Sequence, residues 1–342
     1  MTQSGPSASP LFSTEPVVVE PRQPPTVVVG MPRSGSTFLS HVMSCLDDWY
    51  VFDDLYFYQQ VRSFKINGPL TEKQLRALVH NLGWTVRARV RWEDNPEFKP
   101  QCTWEDVDRM CEAVLETYKG RQVLWHDLME EWLTRLARHH GCTRWGYKTP
   151  QDFMHMDELA DVFPGIRFIF VMRDPRKMMA SFKFVRREDG FRGQYHPVVY
   201  ARYWKMAFEA YERFARGGKA PILVVRFEQL VADPDGEAER LAEFLGTTYR
   251  PRVAEHSANT SFGGGRRKTL TPTETWMCQK FAGAAMEAAE YPLERCGPRF
   301  RDLPDLMATS VRFAGFQLYR LYRWPRDAHT IATFVKRTIG AR

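Results

Sequence analysis

Five stretches of this 342-residue chain carry side chains suited to holding an anionic group or to taking up a proton. In Gly30-Met-Pro-Arg-Ser-Gly-Ser-Thr37, two glycines bracket Arg33 and Ser34, and the hydroxyls of Ser36 and Thr37 follow. Where such a loop joins a strand to a helix, its backbone N–H groups converge on an anion and the helix dipole favours negative charge. Arg173 and Ser181, eight residues apart, offer a guanidinium fork and a hydroxyl to a second anion. Lys148, in Gly146-Tyr-Lys-Thr-Pro150, adds a further cation. Asp53-Asp54, in Tyr50-Val-Phe-Asp-Asp-Leu55, and His126, in Leu124-Trp-His-Asp127, are groups able to accept a proton.

Each of these needs an element to position it. Thr26-Val-Val-Val-Gly30 has no polar face, as in a strand buried on both sides of a parallel sheet. Directly after the loop, Phe38, Leu39, Val42, Met43 and Leu46 recur at helical spacing. Apolar runs predict further strands at 144–147, 167–172 and 222–225, so Lys148 and Arg173 both stand where a strand ends. Pro175 suits a first helical turn, which puts Ser181 two turns into the helix. Asp233-Pro234 opens another helix running to Leu245.

Strands alternating with helices predict an α/β fold built on an open, doubly wound parallel sheet, with ligands at the carboxyl ends of the strands. Helical patterns near 71–82, 103–118 and 124–139 make up a helical insert over about residues 55–140. Residues 1–25, rich in Pro and Ser, read as a flexible leader, 26–303 as the main domain and 304–342 as a basic amphipathic helical extension.

The loop at 30–37 has the glycine spacing of the P-loop of nucleoside triphosphatases but carries Ser36 where that loop has lysine. A donor without a β/γ-phosphate pair or magnesium does not need that lysine. It does need a cation beside its terminal anion, which Arg33 supplies. Here the chain resembles the sulfotransferases that use 3′-phosphoadenosine 5′-phosphosulfate (PAPS), whose loop often reads Gly-x-Pro-Arg-Ser-Gly-Thr-Thr.

The resemblance implies a P-loop-type sheet, PAPS as donor with PAP as product, and no metal. It implies that Arg33, Ser34, Gly35, Ser36 and Thr37 hold the 5′-phosphosulfate, and that Arg173 and Ser181 hold the 3′-phosphate. Val225-Arg-Phe-Glu-Gln-Leu-Val231 is similar to the family's Arg-Tyr-Glu-Asp-Leu segment, which places Phe227 at the adenine without the tyrosine hydroxyl. Gly263-Gly-Gly-Arg-Arg-Lys268 resembles the family's late basic loop, implying that Arg266, Arg267 and Lys268 close over the 3′-phosphate.

The Lys-x-Pro segment resembles that of the tyrosylprotein branch and implies that Lys148 assists transfer. A Glu-Glu pair in that branch falls on Asp53-Asp54 and implies that Asp54 is the base. Asp53 and His126 are the alternatives, the latter because cytosolic aryl and steroid members use histidine. The expected reaction moves a sulfuryl group to a hydroxyl of a small molecule, glycan or lipid. A non-catalytic PAP-binding protein and a P-loop-type kinase are the competing readings.

Net charge is +7, and residues 311–342 carry seven Lys/Arg against one Asp. On a helical wheel Arg312, Arg320, Arg323 and Arg326 share one side, Val311, Leu318, Leu321, Tyr322 and Trp324 fall largely opposite, and Phe316 is out of place. Packing of that helix on the domain or a second subunit is the preferred reading, with peripheral contact to an anionic membrane through 311–342 as the alternative. Charge confined to the tail, without a recognised module, argues against nucleic acid as a partner. Six cysteines form no CxxC pair, and no signal-peptide or bilayer-spanning pattern occurs, so a reduced, cytoplasmic setting is expected. The acceptor and the oligomeric state are not legible.

Overall fold

Three consecutive valines decide the centre of the sheet. In the structure, a computed structural model that describes residues 9–17, 24–92, 102–184, 194–249 and 269–323, Val27, Val28 and Val29 are fully buried in strand β1 (Thr26–Gly30). The chain continues through α1 (Ser36–Met43), β2 (Trp49–Asp53), α2 (Phe57–Ser63), α3 (Glu72–Trp92), α4 (Trp104–Thr117) and α5 (Trp125–His139). Next come β3 (Arg144–Lys148), α6 (Met156–Val162), β4 (Arg167–Met172), α7 (Pro175–Phe184) and α8 (Pro197–Gly217). Last are β5 (Ile222–Arg226), α9 (Phe227–Ala232), α10 (Pro234–Leu245), α11 (Pro272–Ala288) and α12 (Leu303–Arg323).

The five strands lie in the order β2-β3-β1-β4-β5, and β3 and β4 both pair with β1 in parallel, as β2 does with β3. The expected open parallel α/β sheet is therefore present, with α1 and α5 packed on it. From β1 the connections run first to one side (β2, β3) and then to the other (β4, β5), so the winding reverses beside β1. Ligands of such sheets bind outside the carboxyl ends of the strands at that reversal. The expectation missed β2, whose Trp-Tyr-Val-Phe-Asp sequence is short and follows two aspartates. Helices α2 to α5 all fall between β2 and β3, the region read as a helical insert.

The chain divides into two compact units. One holds the described residues of 1–30, 36–171 and 218–256, with the whole sheet up to Val171; the other holds those of 31–35, 172–217 and 257–342. In the second unit α8 packs on α7 and α11. Lys183 there bridges Glu274 on α11 (2.9 Å) and Asp305 on α12 (2.7 Å).

Residues 9–17 differ from the flexible leader expected over 1–25. Leu11 is buried, and the Arg135 guanidinium, with no exposed surface, donates to the carbonyls of Leu11 (3.3 Å), Ser13 (2.7 Å) and Glu15 (3.3 Å). Arg135 also pairs with Glu131 one turn away, and Glu131 accepts the Val17 amide through both oxygens at 3.0 Å. Composition could not show this, because the partner is a buried ion pair on α5 rather than an apolar face.

Removing one member of a buried pair strands the other charge. Arg135→Ala should lower stability by about 3–5 kcal/mol in denaturant titrations. It should also speed limited proteolysis within residues 9–17.

Candidate active site

At the carboxyl edge of the sheet, Lys148 ends β3 with only 2% of its surface exposed. Its Nζ lies 2.8 Å from Asp53 Oδ1, 2.5 Å from Asp54 Oδ1 and 3.2 Å from Thr37 Oγ1. A buried ammonium needs such partners, because desolvation otherwise outweighs what the fold can offer it. One lysine between two carboxylates leaves the cluster with a spare negative charge, and Asp54 is the more exposed of the two.

Adjacent residues on a strand point to opposite faces, so Asp53 and Asp54 reach one ammonium only because the chain turns between them. Asp53 ends β2, and Asp54 and Tyr56 take left-handed backbone angles, φ 54° and 50°. Two bonds hold that turn against the strand end: Leu55 N–H donates to the Lys148 carbonyl (3.2 Å) and Tyr56 N–H to Thr149 Oγ1 (3.0 Å). Non-glycine residues in this region are strained, and such strain collects at functional sites.

The loop after β1 is shaped by its glycines. A Cβ on Gly30, whose φ is 140°, would sit 2.5 Å from the Val171 carbonyl oxygen of β4, so no other residue fits. Gly35, at φ 100°, precedes Ser36 at the start of α1. Within the loop Ser34 is buried and donates its hydroxyl to the Met31 carbonyl at 2.6 Å, closing the turn. Arg33 adopts φ 69°.

In the second unit the Arg33 side chain meets the pair expected at a 3′-phosphate. Its Nε donates to Ser181 Oγ at 3.2 Å, and Arg173 donates to the Arg33 carbonyl at 3.0 Å. Ser181 is buried on α7, and the Arg173 carbonyl accepts Trp204 Nε1–H of α8 at 2.9 Å. Asp174 bonds with Arg176, through its backbone N–H (2.8 Å) and its guanidinium, and so holds the start of α7. Arg33, Arg173 and Ser181 are thus joined by hydrogen bonds, although the sequence assigns Arg33 to the 5′-phosphosulfate and the other two to the 3′-phosphate.

The His126 ring stands edge-on to Trp125 and Phe163, and Nε2 is 3.9 Å from Asp127 Oδ1. Phe227 is buried at the first position of α9. Arg266, Arg267 and Lys268 lie outside the described residues.

Sequence reasoning overlooked Asp152, in the short 3-10 helix that follows Lys148 (Pro150–His155). It is fully buried, and desolvation pushes its carboxyl from 3.8 up to about 7, with the polar ends of Tyr147 and Gln59 opposing the rise. The only sequence signal was an acid four residues past a strand-end lysine. A carboxyl with a raised folded-state pKa stays protonated where the unfolded chain has already ionised. Its contribution is therefore fully present below the unfolded value and is lost as pH rises toward the folded value. Asp152→Asn should raise Tm by several degrees at about pH 8 and leave it nearly unchanged at about pH 4.

The sheet order and the loop at its central strand are those of α/β proteins that take anionic ligands at strand ends. A sequence profile described as "Sulfotransferase family" matches residues 24–251, and the chain belongs to that family. Among solved structures, the chain is similar to the sulfotransferase domain of the Synechococcus PCC 7002 olefin synthase. The identity is 17% and the TM-score 0.52, over 80% of this chain and 96% of that one. It is also similar to the sulfotransferase domain from the curacin biosynthetic pathway, at 16% identity and TM-score 0.49, over 80% and 100%. No curated protein matches the chain.

Proposed function

We propose that this protein transfers a sulfuryl group from PAPS to a hydroxyl of an acceptor substrate. The observation that carries the reading is the buried Lys148, bonded at once to Thr37 of the loop's helix and to two carboxylates. The residues present suit this donor: guanidinium and hydroxyl groups stand at the loop and at Ser181, and no lysine stands where a triphosphate would need one.

PAPS supplies the activated sulfur–oxygen bond. Asp54 takes the proton of the acceptor hydroxyl as its oxygen bonds to sulfur, while the bond from sulfur to the PAP oxygen breaks. Lys148 and Arg33 offset the negative charge that grows on the departing oxygen, and the loop amides with Ser36 and Thr37 hold the 5′ end. Arg173 and Ser181 hold the 3′-phosphate, Phe227 flanks the adenine, and Arg266, Arg267 and Lys268 complete the grip.

Calorimetry with PAP, ADP and ATP, with and without magnesium, tests the donor. Magnesium-independent binding selective for PAP is expected, and preference for magnesium–ATP would overturn the reading. In the same experiment Arg173→Ala should weaken PAP binding by about tenfold or more, since a charged hydrogen bond to phosphate is worth about 1.5–3 kcal/mol. A labelled-PAPS assay on metabolite and lipid extracts separates an enzyme from a protein that only binds the nucleotide.

A further inference from the structure

Helix α12 carries its apolar residues on the wrong side for a core. Met307, Val311, Leu318 and Tyr322 are 60%, 71%, 67% and 85% exposed, and Leu303 and Leu321 are exposed with them. At 100° per residue these six and Ala314 fall within about 100° of the helix circumference, a sector without a charged side chain. The other side is the one that is held. Thr309 is buried, Ser310 Oγ lies 3.3 Å from His196 Nε2, Phe313 packs on the His196 ring, and Asp305 pairs with Lys183. Phe316, out of place on a simple wheel, belongs to this held side, with the Arg320 guanidinium over its ring.

All but one of the chain's net charge of +7 comes from residues 311–342, which begin within this same helix. We propose that α12 is a membrane-surface helix, whose apolar stripe enters the headgroup boundary of an anionic bilayer while basic residues of 311–342 other than Arg320, which is on the held side, meet the lipid phosphates. Exposed apolar side chains joined to Lys/Arg and aromatic residues are what such a surface binds. Among the described residues no helix is long and apolar enough to cross a membrane.

The competing occupant is a second copy of the chain, because positions 307, 311, 314, 318 and 321 also have the spacing of a helix–helix seam. Charge decides between them. A seam would bring two strongly basic segments together, whereas an anionic bilayer neutralises one.

Flotation of the full chain with vesicles of equal parts phosphatidylglycerol and phosphatidylcholine tests the proposal. Wild-type protein should float with these vesicles, lose the association as ionic strength rises, and not float with pure phosphatidylcholine. Val311→Glu/Leu318→Glu should lower the bound fraction by about tenfold or more, with an unchanged circular dichroism spectrum. Arg312→Gln/Lys336→Gln/Arg337→Gln, which leaves the stripe intact, should do the same, each basic residue being worth about 1 kcal/mol at an anionic surface. No flotation of the wild type, or flotation of either variant at the wild-type level, overturns the proposal. So does a dimer in analytical ultracentrifugation that Val311→Glu/Leu318→Glu dissociates and anionic vesicles leave intact.

Discussion

Asp54→Asn is expected to lower kcat by about a hundred- to ten-thousand-fold, the range set by a positioned general base. PAP affinity should stay within a few-fold of wild type, and Tm should hardly move. The second half of the expectation follows from the charge count at the site. Lys148 lies between Asp53 and Asp54, so neutralising Asp54 leaves one ammonium with one carboxylate and no buried charge unpaired. A variant that folds, binds PAP and does not turn over isolates the proton-accepting role. Full activity would remove Asp54 from it and return the role to Asp53 or His126, which Asp53→Asn and His126→Ala distinguish.

Lys148→Ala should be more disruptive. Loss of a cation that stabilises the departing oxygen is expected to lower kcat by about a hundred- to a thousand-fold. It also leaves Asp53 and Asp54 facing each other at a buried edge, which should lower stability by about 3–5 kcal/mol. The two effects separate in a double variant. Asp53→Asn in the Lys148→Ala background removes one of the opposed carboxylates, so it should recover part of the lost Tm and none of the turnover. Recovery of turnover as well would mean that Lys148 acts only through the fold.

The elements legible in the sequence were those whose own residues decide them. Val27–Val29 and Phe168–Val171 are buried on both faces, and runs without a polar side have few other solutions. The helix near 103–118 was readable from its periodicity, and its start is held locally by a capping box between Thr103 and Asp106. β2 was not readable, since five mixed residues after two aspartates fit a turn as well as an edge strand.

At the site, the candidates were legible as residue types, and their grouping only in part. Nothing in Asp53-Asp54 announces that both carboxylates reach Lys148. That depends on the left-handed turn at Asp54 and on hydrogen bonds from Leu55 and Tyr56 to residues more than ninety positions away. Nor could spacing show that Arg33 turns to Ser181, 148 residues on. The exposure of α12's apolar face in this chain was not legible for a simpler reason. Periodicity shows that a helix has an apolar side, but not whether the rest of the protein covers it.

The anchoring of residues 9–17 also bears on the order in which the chain can fold. Leu11 and Arg135 are 124 positions apart, so residues 9–17 have nothing to dock on until α5 has been synthesised. Until then Leu11 and Phe12 are apolar groups in search of a partner, and the Glu131–Arg135 pair cannot close over its carbonyl ligands. A contact of this span forms late, because a long loop must be closed before it returns any stability. Residues 9–17 are thereby secured only after α5 is in place.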